Sequence, residues 1–588
     1  MNFLKNVFAT VIGIFVFLLI FFFGIILIGA IAGSGDSETV SVSDNSVIEL
    51  DMSKINNDYA GKTYYTDMEF LNGKEKHDGL FDVVNAIEYA KTDDRIKGIS
   101  ILNNETELGI EQIKTLRNAL EDFKKSGKFI YSYANYYTQK SYYLNSVANT
   151  MYVNPVGEID FKGLATEVMF FKNFEDRTGL KMEVIRHGKY KSAVEPFLQN
   201  EMSDANREQL TELLSSIWNA IASDISKSRN IPEDKLNEIA TQLSARTPEM
   251  ALSQKMIDKI AYEDVYHNDI KKALKVDKDE DYESIKIEDY TENVATVARD
   301  NDAKDQIAVI YAQGEIGNGE GDINIIGEGS MRRALKDARE DEDIKAVVLR
   351  VNSPGGNALT SELIWREVEL TKKVKPVVVS MGNYAASGGY YISCNANTIF
   401  AEATTITGSI GVFGALPNFH EAATKLGITT QKVSTHDNPG DYSPFLPLTE
   451  KQRTVMTEGV ESIYKTFITR VAVGRKMNTA QVDSIAQGRV WSGTDALKIG
   501  LVDKIGGMDD ALKEAAKLAK ITKYRIVNFP EYEKNFDDVL AKFGLAQSKE
   551  ALLKEELGPE NYAAFQRLKQ LQQLKGIQAL MPYELNIK

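Results

Sequence analysis

Short apolar runs alternate with stretches of helical period along most of this chain. In its second half, IAVIYA (307–312) and IKAVVLRV (344–351) read as strands. SELIWREVELTKK (361–373) has helical spacing and opens on Ser361, a candidate cap, and KPVVVSM (375–381) returns to strand. Strand, loop, helix, strand alternation predicts an α/β fold with much parallel pairing. One block breaks the pattern. From Val7 to Ala32 the chain carries no charge and only Thr10 is clearly polar, enough for a helix of roughly 39 Å against a hydrocarbon core of ~30 Å. Ala30-Ile31-Ala32 offers a signal-peptidase site, but the hydrophobic part of a cleaved signal is only about 7–15 residues long. The expectation is a retained anchor over residues 1–32. Lys5 precedes the span while Asp36 and Glu38 follow it, which places the N-terminus inside and the bulk outside the inner membrane, on the periplasmic side.

After a polar linker (33–45), the pattern repeats. AIEYAKTDDRIKGISIL (86–102) returns as ALKDAREDEDIKAVVLR (334–350), an offset of 248 residues (334 − 86). At that offset, NYYTQKSYYLNSVANTMY (135–152) falls on NYAASGGYYISCNANTIF (383–400). GLKMEVIRHGKYKSAVEPF (179–197) falls likewise on GITTQKVSTHDNPGDYSPF (427–445). Three blocks at one ungapped offset predict a tandem duplication, with a first repeat over 46–300 and a second over 301–530. Residues 263–303, dense in Asp, Glu and Lys, read as a solvated, partly helical connector. The Leu-, Gln-, Glu- and Lys-rich tail (531–588) reads as helical.

Composition narrows the function. The 588 residues are 43% hydrophobic and 26% charged, ordinary for a globular protein and too many for one core. A net charge of −15 with no basic stripe argues against nucleic acid as a partner. Cys394 is the single cysteine, so no intrachain disulfide forms, and it reads as core packing. The five histidines lack metal-binding spacing, and neither a metal nor a cofactor is expected.

Chemistry shows where the copies differ. Strand IKAVVLRV runs into Ser353-Pro354-Gly355-Gly356, a turn whose backbone N–H groups can approach a ligand closely; alone it reads as an ordinary turn. The first copy has Glu105-Thr106-Glu107-Leu108 there. Strand KPVVVSM runs towards Ala385-Ala386-Ser387-Gly388-Gly389, a small-residue junction that presents a serine at a helix N-terminus. Most such serines merely cap the helix. The first copy has Gln139 and Lys140 at these positions. A serine nucleophile needs a base, and no histidine has comparable context. The candidate is Lys191 in HGKYKSAVEPF, whose counterpart is Pro439. A lysine acts as a base only when neutral, hence desolvated, and by itself this one reads as a surface lysine.

Five segments in order, YKSAVEPF, VNSPGG, AASGGYYIS, TGSIGVFG and GRVWSGTDALKIGLVDKIGG, resemble the signal peptide peptidase A family in its long, tandem-repeat form. The resemblance implies tandem ClpP/crotonase-like domains behind an N-terminal transmembrane helix, and a Ser–Lys dyad. It gives Ser387 the role of nucleophile and Lys191 that of base. Gly356 and Gly388 become the oxyanion donors, and Ser409 of TGSIG, opposite Phe161 in the first copy, orients the lysine. It also implies signal-peptide remnants and other membrane-derived peptides as substrates, and a homotetrameric, bowl-like assembly at the membrane. Two rivals share the fold: a crotonase-type acyl-CoA enzyme, which needs neither dyad nor anchor, and a non-catalytic membrane scaffold, which predicts scattered loss of site residues.

Overall fold

The computed structural model describes residues 5, 10, 12–17, 19–20, 41–53, 55–65, 79–298, 303–436, 442–534 and 578–581. The expected anchor lies largely outside the described residues, as do most of the linker and of the tail. Among the described residues, no helix is long and apolar enough to cross a membrane.

The duplication appears element by element. Helix Ile110–Lys124 recurs as Ala358–Lys372 after the same 248 residues (358 − 110), and helix Leu80–Ala90 recurs as Glu328–Glu340. Helices Asp204–Arg229 and Glu450–Arg475 are both 26 residues long. Each repeat is built on a mainly parallel sheet. The first runs Lys259–Ile260, Thr150–Ile159, Phe129–Tyr137, Ile96–Leu102, Ser46–Glu49, Ser284–Lys286, with every pair parallel. The second runs Val490–Ser492, Ile406–Gly408, Val377–Ala386, Ile344–Ser353, Gln306–Gln313, Arg525–Phe529, antiparallel only at its first pair. Central strands such as Ile344–Ser353 are buried on both faces, as continuous Val/Ile/Leu runs require when helices cover a parallel sheet. Cys394 is among the buried core residues of the second repeat.

A third sheet crosses from one repeat to the other. Strand Lys181–His187 of the first copy pairs antiparallel with Val412–Asn418 of the second, from His187 opposite Val412 to Lys181 opposite Asn418. Next come the C-terminal strand Gln578–Leu580 and then Gly355–Asn357. Buried charge locks the repeats a second time. Arg350 donates to Asp58 Oδ2 at 2.7 Å and Glu111 Oε2 at 2.8 Å, all three groups inaccessible to water. Burial outweighs the attraction of Arg350 and pushes the Glu111 carboxyl up to about 7. Asn383 Oδ1 accepts from Glu111 N at 3.0 Å and Gln112 N at 3.3 Å, so a second-repeat side chain serves the first turn of a first-repeat helix.

Three expectations need correction. The helix expected to open at Ser361 opens at Ala358, capped by Asn357, whose side chain accepts from Thr360 N; Ser361 lies inside the helix and donates to Asn357 O at 2.8 Å. The supposed connector is part of the first repeat. Helices Glu263–Leu274 and Ile287–Ala298 bury Tyr266, Ile270, Leu274, Ile287 and Tyr290, and Ser284–Lys286 forms the sheet edge. Its charge density conceals an apolar face recurring every three to four residues. The described parts of the tail are strands, not helix: Glu531–Lys534 pairs parallel with Lys62–Tyr65, and Gln578–Leu580 joins the third sheet.

Candidate active site

Ser387 ends strand Val377–Ala386 and precedes helix Gly388–Ser393. Its backbone is held at φ +54°, ψ −112°, a conformation an L-residue adopts only when its surroundings impose it. The imposing contacts are at hand: Ser387 N–H donates to Gly408 O at 2.8 Å, and Ser387 O accepts from Tyr391 N at 2.8 Å. The side chain does not cap the helix, which removes the simplest alternative use of this serine. The neighbouring glycines are sterically required. A Cβ on Gly388 would lie 2.7 Å from Ser361 Oγ, and one on Gly389 would lie 2.7 Å from Ser353 O.

Lys191 arrives from the other repeat. The antiparallel pairing of Lys181–His187 carries the chain to the end of strand Val412–Asn418, and Gly188 at φ +109° turns it inward. Tyr190 N–H then donates to Gln487 O at 2.8 Å. Gln209 Nε2 holds the turn from below, donating to Tyr190 O at 3.2 Å and Ser192 Oγ at 2.9 Å. Lys191 Nζ lies 2.9 Å from Ser387 Oγ, 3.0 Å from Ser409 O and 3.0 Å from Ser409 Oγ. Both Lys191 and Ser387 have 0% exposure. All three acceptors around the amine are uncharged, and burial drives its pKa well below the ordinary lysine value. Ser409 is itself held at φ +49°, with its N–H donating to Arg489 O at 2.6 Å.

The Ser353–Gly356 turn lies against this pair. Gly355 has φ +106° and Gly356 φ +150°. A Cβ on Gly356 would fall 2.1 Å from Ile316 O, and one on Gly355 would fall 2.8 Å from Gly388 N. Of the five site residues singled out in the sequence, Lys191, Ser387 and Ser409 are thus in direct contact, Gly388 follows Ser387 in the chain, and the turn that holds Gly356 packs against Gly388 through Gly355.

Two residues escaped the sequence reading. Gly488, at φ +80°, leaves room for the Lys191 backbone, since a Cβ there would lie 2.6 Å from Lys191 N; a Cβ on Gly411 would lie 3.1 Å from Lys191 Cδ. Both stand in the segments that carry the family resemblance, but nothing in one sequence says which neighbour they make room for. His187, close to Lys191 in sequence, turns elsewhere: Nδ1 lies 2.7 Å from Glu461 Oε1 and the ring stacks on Tyr464.

Chemically, a buried amine against a strained serine hydroxyl, beside a glycine turn, is an arrangement for nucleophilic acyl transfer. Comparisons with known proteins point the same way. The model of "Peptidase family S49" matches residues 122–277 and again 369–522. Protease 4 of Salmonella typhi is 38% identical over 461 residues, covering 77% of this chain and 74% of that protein. Protease 4 of Haemophilus influenzae is 37% identical over 462 residues, 76% of this chain and 74% of that protein. Serine protease SPPA, chloroplastic, of Arabidopsis thaliana is 31% identical over 471 residues, 77% of this chain and 68% of that protein.

Proposed function

The chain belongs to peptidase family S49 in its tandem-repeat form, as a serine peptidase, and from that premise we propose that Ser387 is the nucleophile and Lys191 the general base. The observation that carries this reading is the fully buried Lys191 amine, 2.9 Å from Ser387 Oγ, with no charged acceptor among its hydrogen-bond partners. A neutral amine has one lone pair and two N–H bonds. It directs the lone pair at the Ser387 hydroxyl and its two hydrogens at the Ser409 carbonyl and hydroxyl. Ser409 thereby fixes the base in position, the part played by the third member of a triad.

In the reaction, Lys191 takes the Ser387 proton as Oγ attacks a peptide carbonyl. The N–H groups of Gly356 and Gly388 stabilise the oxyanion, and Lys191 then gives the proton to the leaving amine. Water hydrolyses the acyl-enzyme by the reverse proton path. Neither repeat is a peptidase alone, because the base belongs to residues 46–300 and the nucleophile to 301–530. The substrates are cleaved signal peptides and other membrane-derived peptides, taken up by a homotetrameric bowl held at the extracytoplasmic face of the inner membrane. The uncharged stretch Val7–Ala32 supports that location.

The test is labelling with a fluorophosphonate probe alongside hydrolysis of an apolar peptide. Label is expected on Ser387 and on no other residue, and both Ser387→Ala and Lys191→Ala are expected to lose hydrolysis. Robust hydrolysis by Lys191→Ala would overturn the dyad. For the location, activity should sediment with membranes and become soluble once residues 1–32 are deleted; a soluble full-length enzyme would refute it.

A further inference from the structure

Helix Asp204–Arg229 of the first repeat lies against strand Val490–Ser492 of the second, and one of its side chains reaches both halves of the proposed dyad. Gln209 is 1% exposed. Its Oε1 accepts from Val490 N at 3.3 Å, while Nε2 faces three acceptors, Tyr190 O at 3.2 Å, Ser192 Oγ at 2.9 Å and Asn206 Oδ1 at 3.1 Å. These partners fix the orientation of the amide, since the Val490 N–H can only donate and the Tyr190 carbonyl can only accept. Tyr190 and Ser192 flank Lys191 in the chain. Val490 stands opposite Gly408 in an antiparallel pair, and Gly408 O accepts the Ser387 N–H at 2.8 Å. Arg489, the residue before Val490, offers the carbonyl that accepts the Ser409 N–H at 2.6 Å. One amide therefore binds both the turn that carries the base and the segment that holds Ser387 and Ser409. Its neighbours support the same junction. The Arg489 guanidinium stacks over the rings of Tyr190 and Trp491 and pairs with Glu208 at 3.1 Å, and Asn206 Nδ2 donates to Glu195 Oε2 at 2.6 Å. The second copy has nothing comparable: the same place in its helix Glu450–Arg475 is taken by Val455, 53% exposed. The amide is found only in the copy that supplies the lysine.

We infer that Gln209 is a positioning residue for the peptidase reaction: it sets the Lys191 turn against the segment behind Ser387 and Ser409, so that the amine meets the serine hydroxyl. The inference rests on the functional reading above. The need for such a residue follows from the split site. Base and nucleophile belong to different repeats, and the strand pair that brings them together ends at His187, before the Lys191 turn begins. A shift of about 1 Å between reacting groups can cost about 100-fold in rate. A glutamine suits the task because it offers donors on one side and an acceptor on the other without a charge. A carboxylate in its place would favour the protonated form of a nearby amine, which is useless as a base. Gln209 touches none of the three reacting side chains and acts through the backbone on either side of Lys191. Its removal should therefore be felt in the chemical step rather than in substrate binding.

The experiment measures kcat and KM for an apolar peptide, and the rate of fluorophosphonate labelling at Ser387, in the full-length chain below the melting temperature of each variant. Gln209→Met keeps the length of the side chain and removes its hydrogen bonds. It is expected to lower kcat and the labelling rate at least about tenfold while KM stays within about twofold of wild type. Ser216→Ala is the control. Ser216 Oγ meets Ser492 Oγ at 2.7 Å across the same helix–strand contact, away from the Lys191 turn, and its loss is expected to leave kcat unchanged. Wild-type kcat in Gln209→Met, a change confined to KM, or an equal loss in Ser216→Ala overturns the positioning role. Should Gln209→Met not fold, Ser192→Ala takes its place, since it removes one contact of the amide at the turn; a fall in kcat of at least about threefold is expected, and wild-type kcat overturns the role. Lys191→Ala in the same assay separates the two readings. An inactive Lys191→Ala beside a fully active Gln209→Met overturns the positioning role and leaves the dyad standing, whereas robust hydrolysis by Lys191→Ala overturns both.

Discussion

The two repeats share a scaffold and treat the same four positions in opposite ways. Where the second copy has Ser387, the first has Gln139, whose Oε1 accepts from Lys162 N at 2.9 Å and Gly163 N at 2.8 Å while Nε2 donates to Gly163 O at 2.7 Å. Where the second has Ser409, the first has Phe161, 2% exposed and packed on Tyr142 and Trp218. Opposite Gly356 is Leu108, fully buried in the apolar core. Opposite Gly388 is Lys140, with Nζ donating to Leu108 O at 3.4 Å. The first copy has turned its space into hydrogen-bonded packing. The second keeps a strained serine and two glycine turns, and receives the buried amine of Lys191 from the first. The comparison shows that duplication separated two demands: one copy gained ordinary core contacts and lends a lysine, while the other retains backbone strain.

The largest expected effect tests whether the first copy can be converted. Ser387→Ala should lower peptide hydrolysis on the order of 10⁴-fold or more. Adding Gln139→Ser should restore nothing, because the nearby lysines are turned away, Lys162 Nζ to Asp160 and Lys140 Nζ to Leu108 O. Recovered turnover in the double variant would break the contrast between the copies.

Next in size is a paired truncation. Phe161→Ala should cost about 3–5 kcal/mol of stability and leave kcat for peptide cleavage unchanged below the melting temperature. Ser409→Ala, at the matching position, should lower kcat about 100-fold through a misplaced amine and cost about 1 kcal/mol or less. Denaturant titration and kcat measurements on both variants should give these opposite profiles; equal profiles would mean the two positions do the same work.

A smaller effect concerns pH. With the Lys191 pKa lowered by burial, kcat/KM should rise with pH through an ionisation below the ordinary lysine value, since the protonated amine cannot accept the serine proton. His187→Ala should leave that profile in place. Control by a group that disappears with His187 would transfer the base to histidine.

The smallest effect is on stability. Between the lowered folded pKa of Lys191 and the ordinary value of the unfolded chain, the folded state binds fewer protons, so its contribution to stability rises with pH. Lys191→Met should abolish that slope and raise Tm at neutral pH, by about 2–4 °C for each kcal/mol relieved. An unchanged pH dependence of Tm would mean the amine is not desolvated in the folded protein.

Much of this architecture was legible before any coordinates. Local periodicity settled the α/β alternation, because strand and helix periods are written directly into neighbouring side chains. The 248-residue offset predicted the tandem organisation, the diverged positions within it picked out Ser387, Lys191 and the Ser353–Gly356 turn as candidates, and the family resemblance added Ser409 and the role of each. Boundaries were less legible. Asn357 rather than Ser361 caps its helix, since both are cap-forming residues and only the path of the preceding Gly355–Asn357 strand chooses between them. The charged stretch 263–303 gave no sign that Tyr266, Ile270 and Tyr290 are buried, because charged residues on the outer face dominate its composition.

What only the tertiary structure decided was convergence. Nothing local to Lys191 distinguishes it from a surface lysine. Its burial comes from the antiparallel pairing of Lys181–His187 with Val412–Asn418, and from Gly411 and Gly488, which leave space for it. The same holds for Gln578–Leu580, whose sequence carries no mark of a place in the third sheet and acquires its register from Gly355–Asn357. Periodicity and repeats are short-range properties of the chain. The pKa of an amine and the partner of a strand depend on what folding brings in from hundreds of residues away, and those contacts exist only in three dimensions.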